Sequence, residues 1–172
     1  MMTLTDLSGD YLVDGGRTTV GFVARHRIGP RVRGRFGEFE GAAVLDGADP
    51  SASRAWLTIR AASIETGDKR RNAHLSKAFL EVEAYPVITF VSTKVAQATK
   101  TTYDVTGELT IRGVTQVVTV PFELTGTDGD LTFAARLTID RHVWQVNMNA
   151  LTSALVSPDV VLDLQVTATR SS

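Results

Sequence analysis

Apolar and polar residues alternate with a period of two along most of this chain, the pattern of β-strands with one buried and one solvated face. From Thr19 to His26, Val20, Phe22, Ala24 and His26 share a face, opposite Thr19, Gly21, Val23 and Arg25. In Arg54–Ala61, Leu57 and Ile59 oppose Trp56, Thr58 and Arg60; in Pro86–Val95, Ile88 and Phe90 oppose Val87, Thr89 and Val91. The cleanest half-buried strand runs from Tyr103 to Arg112, with Tyr103, Val105, Gly107, Leu109 and Ile111 inward. Gln116–Thr125 sends Val118, Val120, Phe122 and Leu124 inward, and Pro121 in its polar register predicts an edge or a bulge. Leu131–Ile139 and Val160–Ala168 repeat the pattern.

The connections carry turn chemistry. Asp128-Gly129 predicts a hairpin whose residues take positive φ, and a second tight turn is expected at Gly113-Val114-Thr115. One segment has helical spacing instead: Lys69–Leu80, with Leu75 and Phe79 four apart, Asp68 as N-cap, and Tyr85-Pro86 beyond its end. Strands recurring every ~10–15 residues between turns favour a β-sandwich or a barrel, with the short helix across one end. No repeat or linker divides the chain, so residues 1–172 are expected to form a single domain.

A closed eight-stranded barrel is just wide enough to be filled by side chains or to hold one small ligand. Many inward residues here are small: Val20, Ala24, Gly107, Val118, Ala135 and Ala168. They leave room for a ligand, or they pack against the larger Phe and Leu of the facing wall at ordinary interior density.

Composition narrows the function classes. The chain has 43% hydrophobic and 22% charged residues and a formal net charge of -1, so no global field recruits nucleic acid. Aromatic residues, at 7%, form no stacking platform among basic residues. With no cysteine there is no disulfide, thiolate metal site or cysteine nucleophile. Neither an apolar run long enough to span a membrane nor a signal-peptide pattern is present, and a cytoplasmic protein is expected. The histidines His26, His74 and His142 have no metal-ligand spacing, no serine sits in a nucleophile elbow, and no cofactor is implied. The acidic pairs Glu81/Glu83 and Asp128/Asp130 fall in solvated links. A binding protein is therefore expected rather than an enzyme.

The candidate polar chemistry is basic. His26 shares its face with Phe22 and is either a buried histidine satisfied by the backbone or a polar anchor for a ligand. Arg31, Arg33 and Arg35 alternate on one strand face, as a solvated wall or as an anion-binding mouth. Lys69, Arg70 and Arg71 open the predicted helix.

An ordered set of short motifs resembles the YceI-like family of polyisoprenoid-binding proteins over about residues 10–169. It comprises Tyr11-Leu12-Val13-Asp14, Phe22 with His26, Gly34-x-Phe36, Phe39-x-Gly41, Ile64-x-Thr66, His74-Leu75 with Phe79, Tyr85-Pro86-x-Ile88-Thr89-Phe90, Ser92-Thr93, and Gly107-x-Leu109-Thr110-Ile111-x-Gly113-Val114-Thr115. The resemblance implies an all-β, antiparallel, eight-stranded lipocalin-like barrel around an apolar channel, with a long-chain isoprenoid or fatty-acid-like lipid as partner. Members often pair, which leaves a homodimer open. On this reading Phe22, Phe36, Phe90, Leu109, Ile111, Leu137 and Trp144 contact the lipid tail, and His26, Arg71 and His74 the head group. The protein would carry or store the lipid. An isomerase or hydrolase of lipid-like substrates, and a ligand-free stress-associated interaction barrel, are the rival readings. Departures from the family pattern include Arg17 in place of a histidine and Gln145 in place of a glycine after the aromatic Trp144. The glutamine is expected to change the bend of its strand or the end of the channel.

Overall fold

Period-two alternation becomes eleven strands in the computed structural model, which describes residues 7–26, 31–146 and 156–171, without the side chains of His26 and Val156. The strands are β1 (Gly9–Val13), β2 (Thr19–His26), β3 (Arg31–Phe36), β4 (Phe39–Leu45), β5 (Arg54–Arg60), β6 (Ile64–Glu65), β7 (Val87–Gln97), β8 (Thr102–Ile111), β9 (Val114–Gly126), β10 (Leu131–Asp140) and β11 (Val156–Arg170).

Eleven strands make an eight-stranded barrel because three of its staves are broken. Both β1 and β2 pair with β11, at its end and its middle respectively. β3 pairs with β2 while β4 pairs with β1. β6 pairs with β3 while β5 pairs with β4. Thus β1–β2, β3–β4 and β5–β6 are each one bent strand. The bends are the 3-10 turn Gly15–Arg17, the pair Gly37-Glu38 and the 3-10 turn Ala61–Ser63. Backbone bonds bridge them: the Gly37 amide donates to the Ser63 carbonyl at 3.1 Å and the Arg60 amide to that of Glu38 at 2.9 Å. β7 to β11 continue the antiparallel meander, and β11 closes the ring onto β1. Closure removes the open edges that invite aggregation.

Two expected turns shift. The hairpin between β8 and β9 turns at Arg112-Gly113, both at positive φ (52° and 74°), rather than over Gly113–Thr115. That is the type I′ geometry whose twist matches antiparallel strands. At Asp128-Gly129 only the glycine has positive φ, 81°. Pro121 pairs with Asp104 of β8, while the ladder to β10 stops at Phe122. The Leu124 amide donates toward β8, to the Thr101 carbonyl at 2.7 Å. Amide directions alternate along a strand, so the N–H that proline lacks is on the β10 side, where no ladder needs it.

The helix is shorter than the spacing predicts. α1 spans Lys69–His74, with the Asp68 carboxylate capping the Arg70 and Arg71 amides as expected. The chain then widens into a π-turn over Leu75–Phe79, closed by the Leu80 amide on the Leu75 carbonyl at 2.9 Å. Two core clusters mark the two ends of the barrel. Leu7, Tyr11, Leu131 and Ala168 pack under Leu45, Leu124 and Phe133 at one end. Trp144, Leu80, Ile111, Ile139 and Val146 belong to the cluster at the α1 end.

Candidate functional site

The inward faces of the strands do not fill the barrel. A cavity of about 780 Å³ runs between the two clusters, with a wall that is almost wholly apolar. All seven residues assigned to the tail (Phe22, Phe36, Phe90, Leu109, Ile111, Leu137 and Trp144) lie on that wall. Small residues make the space. A Cβ on Gly34 would lie 2.3 Å from Phe22 Cζ, and one on Gly107 2.6 Å from Phe90 Cζ, so each ring tip takes the space that a side chain at the glycine would need. Phe22 and Phe36 meet at 5.7 Å between centroids.

One end is a floor. Tyr11 Oη donates to the Leu7 carbonyl at 2.9 Å and accepts from Arg170 Nη2 at 2.8 Å, which ties the chain start beneath the channel. Near it, Tyr103 also lies on the wall, and its hydroxyl is buried with no hydrogen-bond partner among the described residues. Burial pushes its ionisation above the usual tyrosine range.

The other end is basic. Of the residues assigned to the head group, Arg71 and His74 line it from α1; the side chain of His26 is outside the described residues, and only its backbone is placed, at the end of β2 opposite Val156. Arg71 is held by Thr66, through Nε to Oγ1 at 2.9 Å and Nη2 to the carbonyl at 2.6 Å. Thr66 is itself fixed by Asn72. The His74 ring stands edge-on to Phe79 at 5.4 Å. Exposed Arg25 and Arg70 complete the rim.

Alternation placed Arg25 on the outer face and could not show that a strand end at a rim serves both faces. Arg141 is a second residue the sequence pattern misses. It sits between Asp140 and His142, as if in a surface loop, yet it is only 4% exposed and lines the channel. Its guanidinium donates to the carbonyls of Ser157 (3.1 Å) and Val146 (3.0 Å).

Trp144 belongs to a 3-10 turn, Arg141–Trp144, and not to a strand. Its indole N–H donates to the Leu109 carbonyl at 2.8 Å and locks the turn across the channel end. Gln145 follows at φ 60°, a left-handed residue that ends this turn in the conformation glycine adopts most readily. Among the described residues no three His, Asp or Glu side chains converge on a point, and no helix is long and apolar enough to cross a membrane.

This geometry defines a lipocalin-like barrel with an internal apolar channel and a cationic end. The chain belongs to the YceI-like family: the model of the YceI-like domain matches residues 11–168. It is 35% identical over 127 residues to the UPF0312 protein of Pseudomonas savastanoi pv. phaseolicola, covering 72% of this chain. It is 36% identical over an equal length to the UPF0312 protein of Pseudomonas aeruginosa, and spans only 66% of the length of these curated relatives. Among solved structures, Burkholderia cenocepacia BcnA superposes with a TM-score of 0.86 at 31% identity, over 91% of this chain and 99% of that one. A polyisoprenoid binding domain from Saccharophagus degradans, implicated in plant cell wall breakdown, has a TM-score of 0.74 at 19% identity over 93% and 98%, a likeness of fold.

Proposed function

We propose that this barrel binds one long-chain amphiphilic lipid, a polyisoprenoid or a fatty-acid derivative, with its tail in the channel and its polar head among Arg25, Arg70, Arg71 and His74 at the mouth. The observation that carries this reading is the 780 Å³ apolar channel. It is about five times the ~150 Å³ cavity that holds one benzene, room for a chain and not for a fragment. At ~24 cal/mol per Å³, keeping such a space dry would cost on the order of 19 kcal/mol, above the ~5–15 kcal/mol that holds a domain together. The wall offers apolar contact along its length and polar groups at its ends, which suits selection by length and shape. The fold shared with a polyisoprenoid binding domain supports the same reading.

The protein acts as a carrier or store, and the lipid leaves chemically unchanged. The one carboxylate of the described channel lining, Asp46, lies at the floor end and already accepts from the Ala48 and Asp49 amides. That leaves no acid–base pair facing the tail. A homodimer belongs to the same proposal and is read by sedimentation velocity.

The test is native mass spectrometry of the purified protein, followed by organic extraction and by titration with polyprenyl phosphates and fatty acids. A stoichiometric lipid, or thermal stabilisation by an added one, is expected. Finding neither would overturn the proposal. His26→Ala separates the enzyme reading: a carrier loses some affinity, whereas an enzyme keeps binding and loses turnover.

A further inference from the structure

The net charge of -1 conceals a separation of charge along the barrel. Arg31, Arg33 and Arg35 are exposed along the outer face of β3, and Arg31 stands directly opposite Arg25 of β2. Over the rim follow Arg70 and Arg71 of α1, which β6 and the Thr66–Asn72 bonds hold beside β3. Like charges facing each other across a ladder are unfavourable. Among the described residues no carboxylate is within ion-pair distance of Arg25, Arg31, Arg33 or Arg70. Of the acids at this end, Asp68 caps α1, Glu65 accepts from Asn72 and the Gly67 amide, Glu81 pairs with Arg112 and Asp140 caps the Arg141–Trp144 turn; Glu83 and Asp159 are the other two among the described residues. The opposite end carries Asp10, Asp14, Asp46, Asp49, Asp128 and Asp130 against Arg17, Lys100 and Arg170.

We propose that the basic end of the barrel docks on an anionic lipid bilayer, with the channel mouth turned toward the membrane. The proposal rests on the lipid-binding reading above and adds where the lipid is exchanged. A dipolar protein approaches a negative surface positive end first, and here that end holds the mouth. The mode is electrostatic, not insertion. Of the exposed apolar side chains, Leu12, Trp56, Val91 and Val117 form a row on β1, β5, β7 and β9, away from the strands that carry the arginines, and only Tyr85 and Val143, among the described residues, stand singly at the α1 end. A bilayer fits better than RNA because the described rim offers cations around an apolar opening, and its exposed rings are already engaged, Tyr85 by Arg112 and His74 by Phe79.

The experiment is vesicle flotation with phosphatidylcholine alone and with added phosphatidylglycerol, across a salt series. Binding is expected only to the anionic vesicles and is expected to fade as salt shortens the screening length below ~10 Å. At about fivefold per arginine, R31Q/R33Q/R35Q weakens partitioning on the order of 100-fold. R54Q/K94Q, on the other wall, leaves it unchanged. Equal binding to neutral vesicles, no binding to anionic ones, tighter binding to single-stranded RNA, or an unaffected triple variant overturns the proposal. Fluorescence of cis-parinaric acid reads the channel separately: the triple variant is expected to take it up like the parent. Lost uptake by the parent with vesicle docking retained would sink the lipid reading and leave a membrane-docking protein.

Discussion

Gln145 ends the Arg141–Trp144 turn in a left-handed conformation. Its position follows an aromatic where the resembling family carries glycine, and its backbone takes φ 60° and ψ 29°, which a side chain disfavours by about 1–2 kcal/mol. The conformation persists because the turn is held on both sides. The Val146 amide donates to the Arg141 carbonyl, and Arg112 Nη1 donates to the carbonyl of Gln145 itself. Gln145→Gly should relieve the strain, offset by ~0.5–1 kcal/mol of added freedom in the unfolded chain. A net gain of about 0.5–1 kcal/mol, or ~1–4 °C in Tm by calorimetry, is expected. An unchanged or lower Tm would mean that the glutamine side chain makes a contact outweighing the strain. Tyr103 gives the complementary case. Alternation read it correctly as inward but could not show that its hydroxyl finds no partner, since pairing depends on what lies across the barrel. Tyr103→Phe should leave stability unchanged or raise it by up to ~1–2 kcal/mol in urea titrations. The pH dependence has a fixed sign. A phenol whose pKa is raised by burial contributes stability that is complete below pH ~10 and lost as pH rises through the folded value. The alkaline limb of the parent should therefore flatten in the phenylalanine variant.

The elements were legible where one face stays buried along the whole strand, as in β8 and β10, and illegible where a stave bends. The 3-10 turns at Gly15–Arg17 and Ala61–Ser63 interrupt alternation without ending the strand in space, so the pattern cannot show that two segments are one stave. The first bend is fastened by Arg17, which donates to Asp14 at 2.8 Å and to Asp130 of the β9–β10 hairpin at 2.6 Å. The Arg17 side-chain bond, with the Gly16 amide, holds the Asp14 carboxyl below its ordinary range. A lowered pKa contributes stability that is present above pH ~4 and lost as pH falls through the folded value. Asp14→Asn should accordingly shrink the acid limb of the stability profile, and an unchanged limb would show that the bend does not depend on this carboxylate. At the basic end, Arg112 pairs with Glu81 and reaches the Gln145 carbonyl, joining the exit of the π-turn, the β8–β9 hairpin and the Trp144 turn. All three residues have positive φ. Arg112→Met should cost about 1–2 kcal/mol, with hydrogen exchange accelerating in residues 75–82 and 141–146 before the strands. Uniform exchange would show that these segments open only with the barrel.

At the scale of the whole molecule the question is whether the barrel is shaped for its own packing or for an occupant, and one substitution sets the two against each other. Small inward residues could be read from the sequence, but whether they leave space could not, because that depends on how the facing wall packs. Gly34 and Gly107 contribute to that space, since each yields to the ring tip of Phe22 or Phe90 where a Cβ would clash. Val118, on the channel side of β9, has room ahead of it. In a barrel shaped for its own packing, a larger side chain there overpacks the core and costs ~1–3 kcal/mol. In a barrel shaped for a lipid, the same side chain enters space that the chain itself does not fill and contributes about 0.5–2 kcal/mol. Val118→Phe is therefore expected to raise the Tm of the delipidated protein while cutting its affinity for a long-chain probe such as cis-parinaric acid at least tenfold. Higher stability with lower affinity is the signature of a channel kept open for a ligand. A fall in Tm with uptake unchanged would show that the channel wall is ordinary core.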